Sequence, residues 1–216
     1  IPVAAASATD PPELGNDSLV VRAGDVGSVS VLSNDRSPAG LTMTVQSDLQ
    51  HEISPSMGEP FVSGNVVRFR AGQEAGSGKV IYTVRDSAGN VASATVNVTV
   101  VAMDEDRNTA PHPKDVTGWA VAGETVTIQI PLEGIDSEGD SVTLTGLGTS
   151  PRLGSVELGA TSLAYTAAPD ASGTDIFSYT VRDRLGKSAT AVIRVGVAPA
   201  ATNNQRPVAL ADLVTV

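Results

Sequence analysis

The feature that most constrains the fold of this chain is an internal repeat. The stretch "IYTVRDSAGN" (residues 81–90) returns as "SYTVRDRLGK" (residues 178–187), so that Tyr179 follows Tyr82 by 97 residues. A period this long is typical of tandem domains, each with its own hydrophobic core. The chain has 216 residues, which is enough for two domains of about 100 residues each.

The starts of the repeats divide the chain. The stretch "PPELGNDSLVV" (11–21) resembles "APHPKDVTGWAV" (110–121), and "RPVALADLVTV" (206–216) is similar to both. We therefore interpret the chain as a piece of a longer array; the alternative is that both ends are native tails. The predicted division is a tail of a preceding repeat and linker at 1–9, a divergent first domain at 10–102, a linker at 103–113, a second domain at 114–200, and a linker with the first strand of a third repeat at 201–216.

Each repeat is predicted to form an antiparallel β-sandwich of about seven strands. Val80, Tyr82 and Val84 alternate with residues of the opposite face, which is the period of a half-buried strand, and no stretch keeps a helical period. The 21 Gly and 13 Pro residues are spread along the chain and separate many short elements. The predicted strands are 18–21, 28–32, 41–45, 58–62, 66–70, 79–86 and 91–101 in the first repeat, and 117–121, 125–130, 141–145, 154–158, 162–165, 175–183 and 188–197 in the second.

Composition argues against several classes of function. The net charge of −10 disfavours nucleic acid, because affinity for phosphates comes from Lys and Arg, and it disfavours anionic membrane surfaces. No apolar run approaches the roughly 18 residues of a membrane-spanning helix. Cysteine is absent, and the two histidines, His51 and His112, fall in different repeats. A nucleophile with a histidine base positioned by an acid is therefore not expected, and we predict that the chain is not an enzyme.

The order of motifs in the second repeat resembles a known family. "GID", "SEGDSVTL" and "GTDIFSYTVRD" precede a final strand rich in Thr and Val. This pattern is similar to the bacterial Ig-like and cadherin-like repeats of large adhesin-type proteins. It holds across 108–201 and weakens in the middle of 10–101, where "SNDRSPAGLTM" replaces an acid-rich loop. The resemblance implies an all-β Ig-like fold, of the cadherin-like or fibronectin-III-like kind, and an extracellular location, on the bacterial surface or secreted.

The sandwich topology brings one acidic loop towards the domain boundary. "GIDSEGDSVTL" (134–144) follows the second strand, and in an Ig-type sandwich this loop shares a pole with the loop between the last two strands and with the incoming linker. Calcium takes six to eight oxygen ligands, and calcium stiffens linkers in the cadherin-like repeats that the chain resembles. The alternative is a solvated acidic turn without metal. The candidate calcium ligands are Asp104, Asp106, Asp136, Glu138, Asp140 and Asp183.

Two functions from different classes fit this sequence. The first is a structural spacer of a multi-repeat surface or secreted protein, monomeric, with neighbouring repeats as its partners and with calcium at the junction of the two domains. The second is an adhesive module that captures a host protein or glycan through a loop pole or an edge strand. Trp119, the single tryptophan, is the one candidate platform for a sugar, although packing of an edge strand at the domain boundary is the favoured explanation of it.

Overall fold

The computed structural model describes residues 7–200 of the chain. The expectations for 1–6 and for a partial third repeat at 201–216 lie outside the described residues. Within 7–200 the chain forms two β-sandwiches joined by a short linker. No helix among these described residues has the length and apolar character needed to cross a membrane.

The first domain has eight strands in two sheets. One sheet has the order β1-β8-β7-β3, with β4 also pairing with β7, and the other has the order β2-β6-β5. A single 3₁₀ turn covers Val31–Ser33. The strands are β1 Asp17–Arg22, β2 Val26–Val29, β3 Met43–Val45, β4 Gln50–His51, β5 Gly58–Ser63, β6 Val66–Ala71, β7 Gly76–Asp86 and β8 Val91–Val101.

The second domain repeats this architecture with seven strands. Its sheets have the orders β11-β14-β15-β9 and β10-β13-β12. The all-β fold and the two-domain organisation predicted from the repeat are confirmed. The strands are β9 Val116–Val121, β10 Thr125–Gln129, β11 Val142–Thr149, β12 Gly154–Leu158, β13 Ser162–Ala167, β14 Gly173–Asp183 and β15 Ser188–Ala198.

Each domain has its own core, built from the alternating faces of its strands. On β7, Val80, Tyr82 and Val84 are fully buried and Ile81 between them is exposed. Burial of each such side chain contributes roughly 1.5–3 kcal/mol. In the second domain, Phe177 takes the equivalent role and stacks on another buried aromatic ring with its centroid 5.8 Å away. The period-two prediction for these strands is therefore confirmed.

One strand pair in each domain is parallel, and in the first domain this pair places Arg22 at the domain's exit. β1 runs parallel to the last strand of its domain, β8, and β9 runs parallel to β15, while the other ladders are antiparallel. In this register Arg22, the last residue of β1, stands beside Val101, the last residue of β8. Since β8 leads directly into the linker, Arg22 lies at the exit of the first domain.

Candidate functional site

A buried arginine of the first domain reaches into the second. The side chain of Arg22 is 1% exposed, and its Nε donates to Asp140 Oδ2 at 2.8 Å. Its other nitrogens donate to linker groups: to the carbonyl of Asp104 at 3.2 Å, to that of Ala102 at 3.5 Å, and to Asn108 Oδ1 at 3.4 Å. One guanidinium thus joins the first domain, the linker and the second domain.

The acidic loop is folded by one of its own carboxylates. Asp136 Oδ1 accepts hydrogen bonds from the backbone N–H groups of Glu138 at 3.1 Å and Asp140 at 3.0 Å. This is the Asx-type turn that the sequence predicted as the alternative to a metal site. The turn places Asp140 against Arg22.

A glycine lets this loop touch the backbone of β1. Gly139 has φ +79°, and its carbonyl accepts from the N–H of Arg22 at 2.9 Å. A Cβ at position 139 would lie 2.6 Å from the backbone nitrogen of Val21 and 2.7 Å from the carbonyl group of Val20. Only glycine therefore satisfies both the backbone angle and the close contact between the domains.

The third buried acid of the junction comes from the turn between β14 and β15. Asp183 Oδ1 accepts from the N–H of Lys187 at 2.8 Å, and its Oδ2 accepts from Asn108 Nδ2 at 2.9 Å. The carbonyl of Asn108 also accepts from the ammonium group of Lys187. Asn108 is itself buried and accepts from Arg22, so the linker is held on both sides.

Two carboxylate oxygens at this junction lack a hydrogen-bond partner among the described residues. They are Asp136 Oδ2 and Asp140 Oδ1, and both are buried. Burial raises the pKa of Asp136, and the N–H groups that it accepts from do not offset this. Burial also raises the pKa of Asp140, in spite of its hydrogen bond and ion pair with Arg22. The junction thus holds two buried carboxylate oxygens that Arg22 does not compensate.

Further contacts widen the interface beyond the acidic loop. Asp25, in the turn after β1, accepts from the N–H of Ser141 at 2.8 Å and lies 3.9 Å from the guanidinium of Arg184. The hydroxyl of Ser30 donates to Glu133 at 2.7 Å. Both ends of the acidic loop are therefore tied to the first domain.

The structure brings together three of the six predicted ligands. Asp136, Asp140 and Asp183 converge at the junction, as the topology predicted. Glu138 is turned towards Thr109, whose hydrogen bonds hold its pKa below the ordinary value although burial acts in the opposite direction.

The linker acids do not converge as predicted. The carboxylate of Asp104 lies 3.4 Å from the guanidinium of Arg107 on the surface, and only its backbone carbonyl takes part in the junction. Asp106 is exposed. Within residues 7–200, no three His, Cys, Asp or Glu side chains stand in an arrangement that could ligate a metal ion.

The sequence prediction missed Arg22 and Asn108. The predicted first strand ended at residue 21, so the direction of the next side chain was not considered. A weak signal was present, because Arg22 continues the outward alternation of Ser18 and Val20 and a charged residue there faces the domain boundary. Asn108 carries no comparable signal, because its role depends on two partners far away in the sequence.

Two β-sandwiches in tandem, joined end to end through their loops, define an immunoglobulin-like multidomain protein. The sequence profile described as "Bacterial Ig domain" matches residues 9–99 and again 108–196, so the chain belongs to the bacterial Ig domain family. No curated protein matches the chain.

Solved structures that match the chain include proteins of several kinds. An endo-fucoidan hydrolase from glycoside hydrolase family 107 is 17% identical, with a TM-score of 0.36; the match covers 88% of this chain and 29% of the hydrolase chain. Cadherin domains 3–6 of protocadherin gamma B2 are 18% identical, with a TM-score of 0.32, over 90% of this chain and 54% of that one. Drosophila N-cadherin EC1-3 is 14% identical, with a TM-score of 0.34, over 89% of this chain and 69% of that one.

Proposed function

We propose that this chain is a non-enzymatic spacer segment of a multi-repeat bacterial surface or secreted protein, in which the junction of the two domains is locked at a fixed angle. The observation that carries the proposal is the buried ion pair between Arg22 and Asp140, which belong to different domains. A flexible tether between independent domains has no need of a buried charge at their contact. Membership of the bacterial Ig domain family supports the structural role.

The energetics of the ion pair favour a stiff junction. Bending at the linker would separate Arg22 from Asp140 and would also break the backbone contact at Gly139. Removing one partner from a buried pair typically costs about 3–5 kcal/mol because the other charge is left buried without compensation, and a small bend that separates Arg22 from Asp140 before water enters would leave both groups in that state. Although hydration of the separated charges offsets part of this cost, the tie from Ser141 to Asp25 adds to it.

Solution scattering tests the stiffness directly. The wild-type chain should behave as one conformation, and Arg22→Met should broaden the distribution of distances between the domains. Arg36→Met is the matched control, because Arg36 pairs with Glu13 at an exposed site within the first domain. Equal breadth for the wild type and Arg22→Met would contradict the locked junction.

We further propose that calcium completes the charge balance of this junction. Three buried carboxylates, Asp136, Asp140 and Asp183, face one guanidinium, so that two negative charges remain if all three acids are ionised. The unpartnered oxygens Asp136 Oδ2 and Asp140 Oδ1 are the donor type that calcium prefers. Because no three carboxylates of the described residues stand together as metal ligands, the proposed site is a weak one that carbonyls or water would complete.

Melting in calcium and in chelator tests this second proposal. Calcium should raise the Tm of the wild type and should not raise that of Asp136→Asn, because the amide keeps the turn-forming oxygen and replaces the unpartnered one with an NH₂ group. Asp106→Asn, which removes one exposed linker charge, should respond like the wild type. If the wild type shows no shift, calcium does not bind here, while the scattering result on the locked junction stands independently.

A further inference from the structure

The first domain shows which of its surfaces a following domain covers. The contact with the second domain is made by the backbone of β1 at Val20 and Val21, by Arg22 and by the turn after it, while the side chain of Val20 at the edge of the contact stays 42% exposed. Gly139 of the second domain lies against the backbone of Val20 and Val21, Arg22 is buried at the contact, and Asp25 accepts from the incoming loop.

The internal repeat identifies the same surface on the second domain. β9 pairs in parallel with β15 so that Val121 stands beside Ala198, just as Arg22 stands beside Val101 in the first domain. The next residues are "AGD" in the first domain and "AGE" in the second. Position 121 is therefore equivalent to 22, Trp119 to Val20, and Glu124 to Asp25.

On the second domain this surface is uncovered by the described residues and is unusually apolar. Trp119 is 79% exposed and Val121 is 37% exposed. Because Trp119 and Val121 lie two residues apart on one face of β9, they form a contiguous exposed apolar patch, and such patches mark interaction sites. Glu124, which takes the place of the hydrogen-bond acceptor Asp25, is exposed beside them.

The indole of Trp119 lies beside Gly196 of the neighbouring strand β15. Atoms of its ring lie 2.5 and 2.6 Å from where a Cβ of Gly196 would stand, so residue 196 must be glycine for the ring to lie there. The equivalent pair in the first domain is Val20 and Thr99. Trp119 and the glycine beside it thus occur together in the second domain, and neither residue type stands at the equivalent position of the first domain.

We propose that Trp119, Val121 and Glu124 form the docking surface for a third Ig-like domain of the same chain, which would approach with the loop equivalent to 134–141. The inference rests on the proposed spacer function. The occupant follows from continuity with the first junction and from the sequence, because "RPVALADLVTV" (206–216) restarts the repeat and its Pro207 follows Pro111 by 96 residues. Since Val121 replaces Arg22, this second junction is held by the indole and a backbone hydrogen bond to Glu124, without a buried arginine.

Fluorescence tests the inference because Trp119 is the single tryptophan of the chain. The 216-residue chain is compared with a chain extended in its natural sequence through the next complete repeat, and the spectrum of each Trp119→Phe variant is subtracted. The extension should shift the emission of Trp119 to shorter wavelength and reduce its quenching by acrylamide several-fold. As a matched control, Leu158→Trp in the Trp119→Phe background places an indole on another exposed strand position, whose quenching should not change.

Three results would overturn the inference. Trp119 could remain as accessible in the extended chain as in the shorter one. It could become protected in the 216-residue chain as protein concentration rises, which would make a second copy the occupant. It could be protected in that chain by added oligosaccharides, which would make the surface a sugar platform. If any of these occurs while scattering still shows a junction locked by Arg22, the spacer function stands and the docking surface fails.

Discussion

Replacing Arg22 with methionine perturbs the junction while keeping an apolar side chain of similar reach. The stem of Arg22 can be replaced by Met with little loss of packing, so the change mainly removes the charge and its donors. Asp140 would then be a buried carboxylate without a partner, and Asn108 Oδ1 and the carbonyl of Asp104 would each lose a donor.

The size of the destabilisation depends on whether the unpaired carboxylate of Asp140 stays buried. Removing one partner from a buried ion pair costs about 3–5 kcal/mol if the remaining charge stays buried. Here the two domains can separate and let water reach Asp140, so the loss cannot exceed the free energy that couples them. We therefore expect Arg22→Met to lower the free energy of unfolding by about 3 kcal/mol, and the two domains to unfold in separate transitions.

Calorimetry and urea unfolding provide the assay. The double-mutant cycle of Arg22→Met with Asp140→Asn should show a coupling energy well above that of an exposed pair, because the double variant removes both charges of the buried pair together. The cycle of Arg36→Met with Glu13→Gln provides the reference. Those side chains are 70% and 55% exposed, and such pairs contribute less than about 1 kcal/mol. A coupling energy for Arg22 and Asp140 no larger than the reference would refute the buried clamp.

Two further outcomes follow from local geometry and charge. Gly139→Ala should be more destabilising than Gly134→Ala. Both glycines have positive φ, which costs an alanine about 1–2 kcal/mol, but only a Cβ at position 139 meets backbone atoms, and this overpacking adds about 1–3 kcal/mol. Similar losses of Tm for the two variants would show that the loop does not contact β1 this closely. Burial raises the pKa of Asp17 and of Asp35, which both accept a hydrogen bond from the hydroxyl of Tyr82. The folded state therefore favours the protonated carboxyl groups. The stability that this protonation contributes is fully present below the ordinary pKa of about 3.9 and is lost as pH rises through the raised pKa values. Urea unfolding of Asp17→Asn across this range should show a flatter pH dependence than the wild type, and an unchanged slope would count against the assignment.

The strands and the two cores could be predicted from local patterns. Val80, Tyr82 and Val84 alternate in the sequence because a sheet with one buried face imposes that period. The residues of the turn after β7 could also be predicted. Asp86 accepts from the N–H of Ala88 at 2.9 Å, and Gly89 has φ +94°. These features depend on neighbours within a few residues, and such neighbours are visible in one sequence.

Other elements depended on partners that the pattern does not reveal. β4, the two-residue strand Gln50–His51, was not predicted, because it has no alternation of its own and exists only through its pairing with Val80 and Ile81 of β7. The parallel pairing of the first and last strands was also not foreseen, since periodicity does not carry strand direction.

The residues of the domain junction could be predicted only in part. Topology correctly placed Asp136, Asp140 and Asp183 at one pole, because loop positions follow from strand order. It could not place Asp104, whose carboxylate and carbonyl point to different partners. Nor could it find Arg22, whose partner Asp140 lies 118 residues away in the sequence.

The acidic loop of the second domain matches the surface at Arg22 and does not match the surface beside Trp119. In the first domain the equivalent loop holds Asp35, which turns inward to accept from the N–H of Gly15 at 2.8 Å, so that loop has no buried acid to offer a preceding arginine. If the loop of the second domain docked on the surface beside Trp119 instead, Asp140 would meet Val121 and would be buried without a partner, at a cost of several kcal/mol. The charge that stabilises the junction at Arg22 therefore also disfavours contact of the same loop with the surface beside Trp119 of another copy.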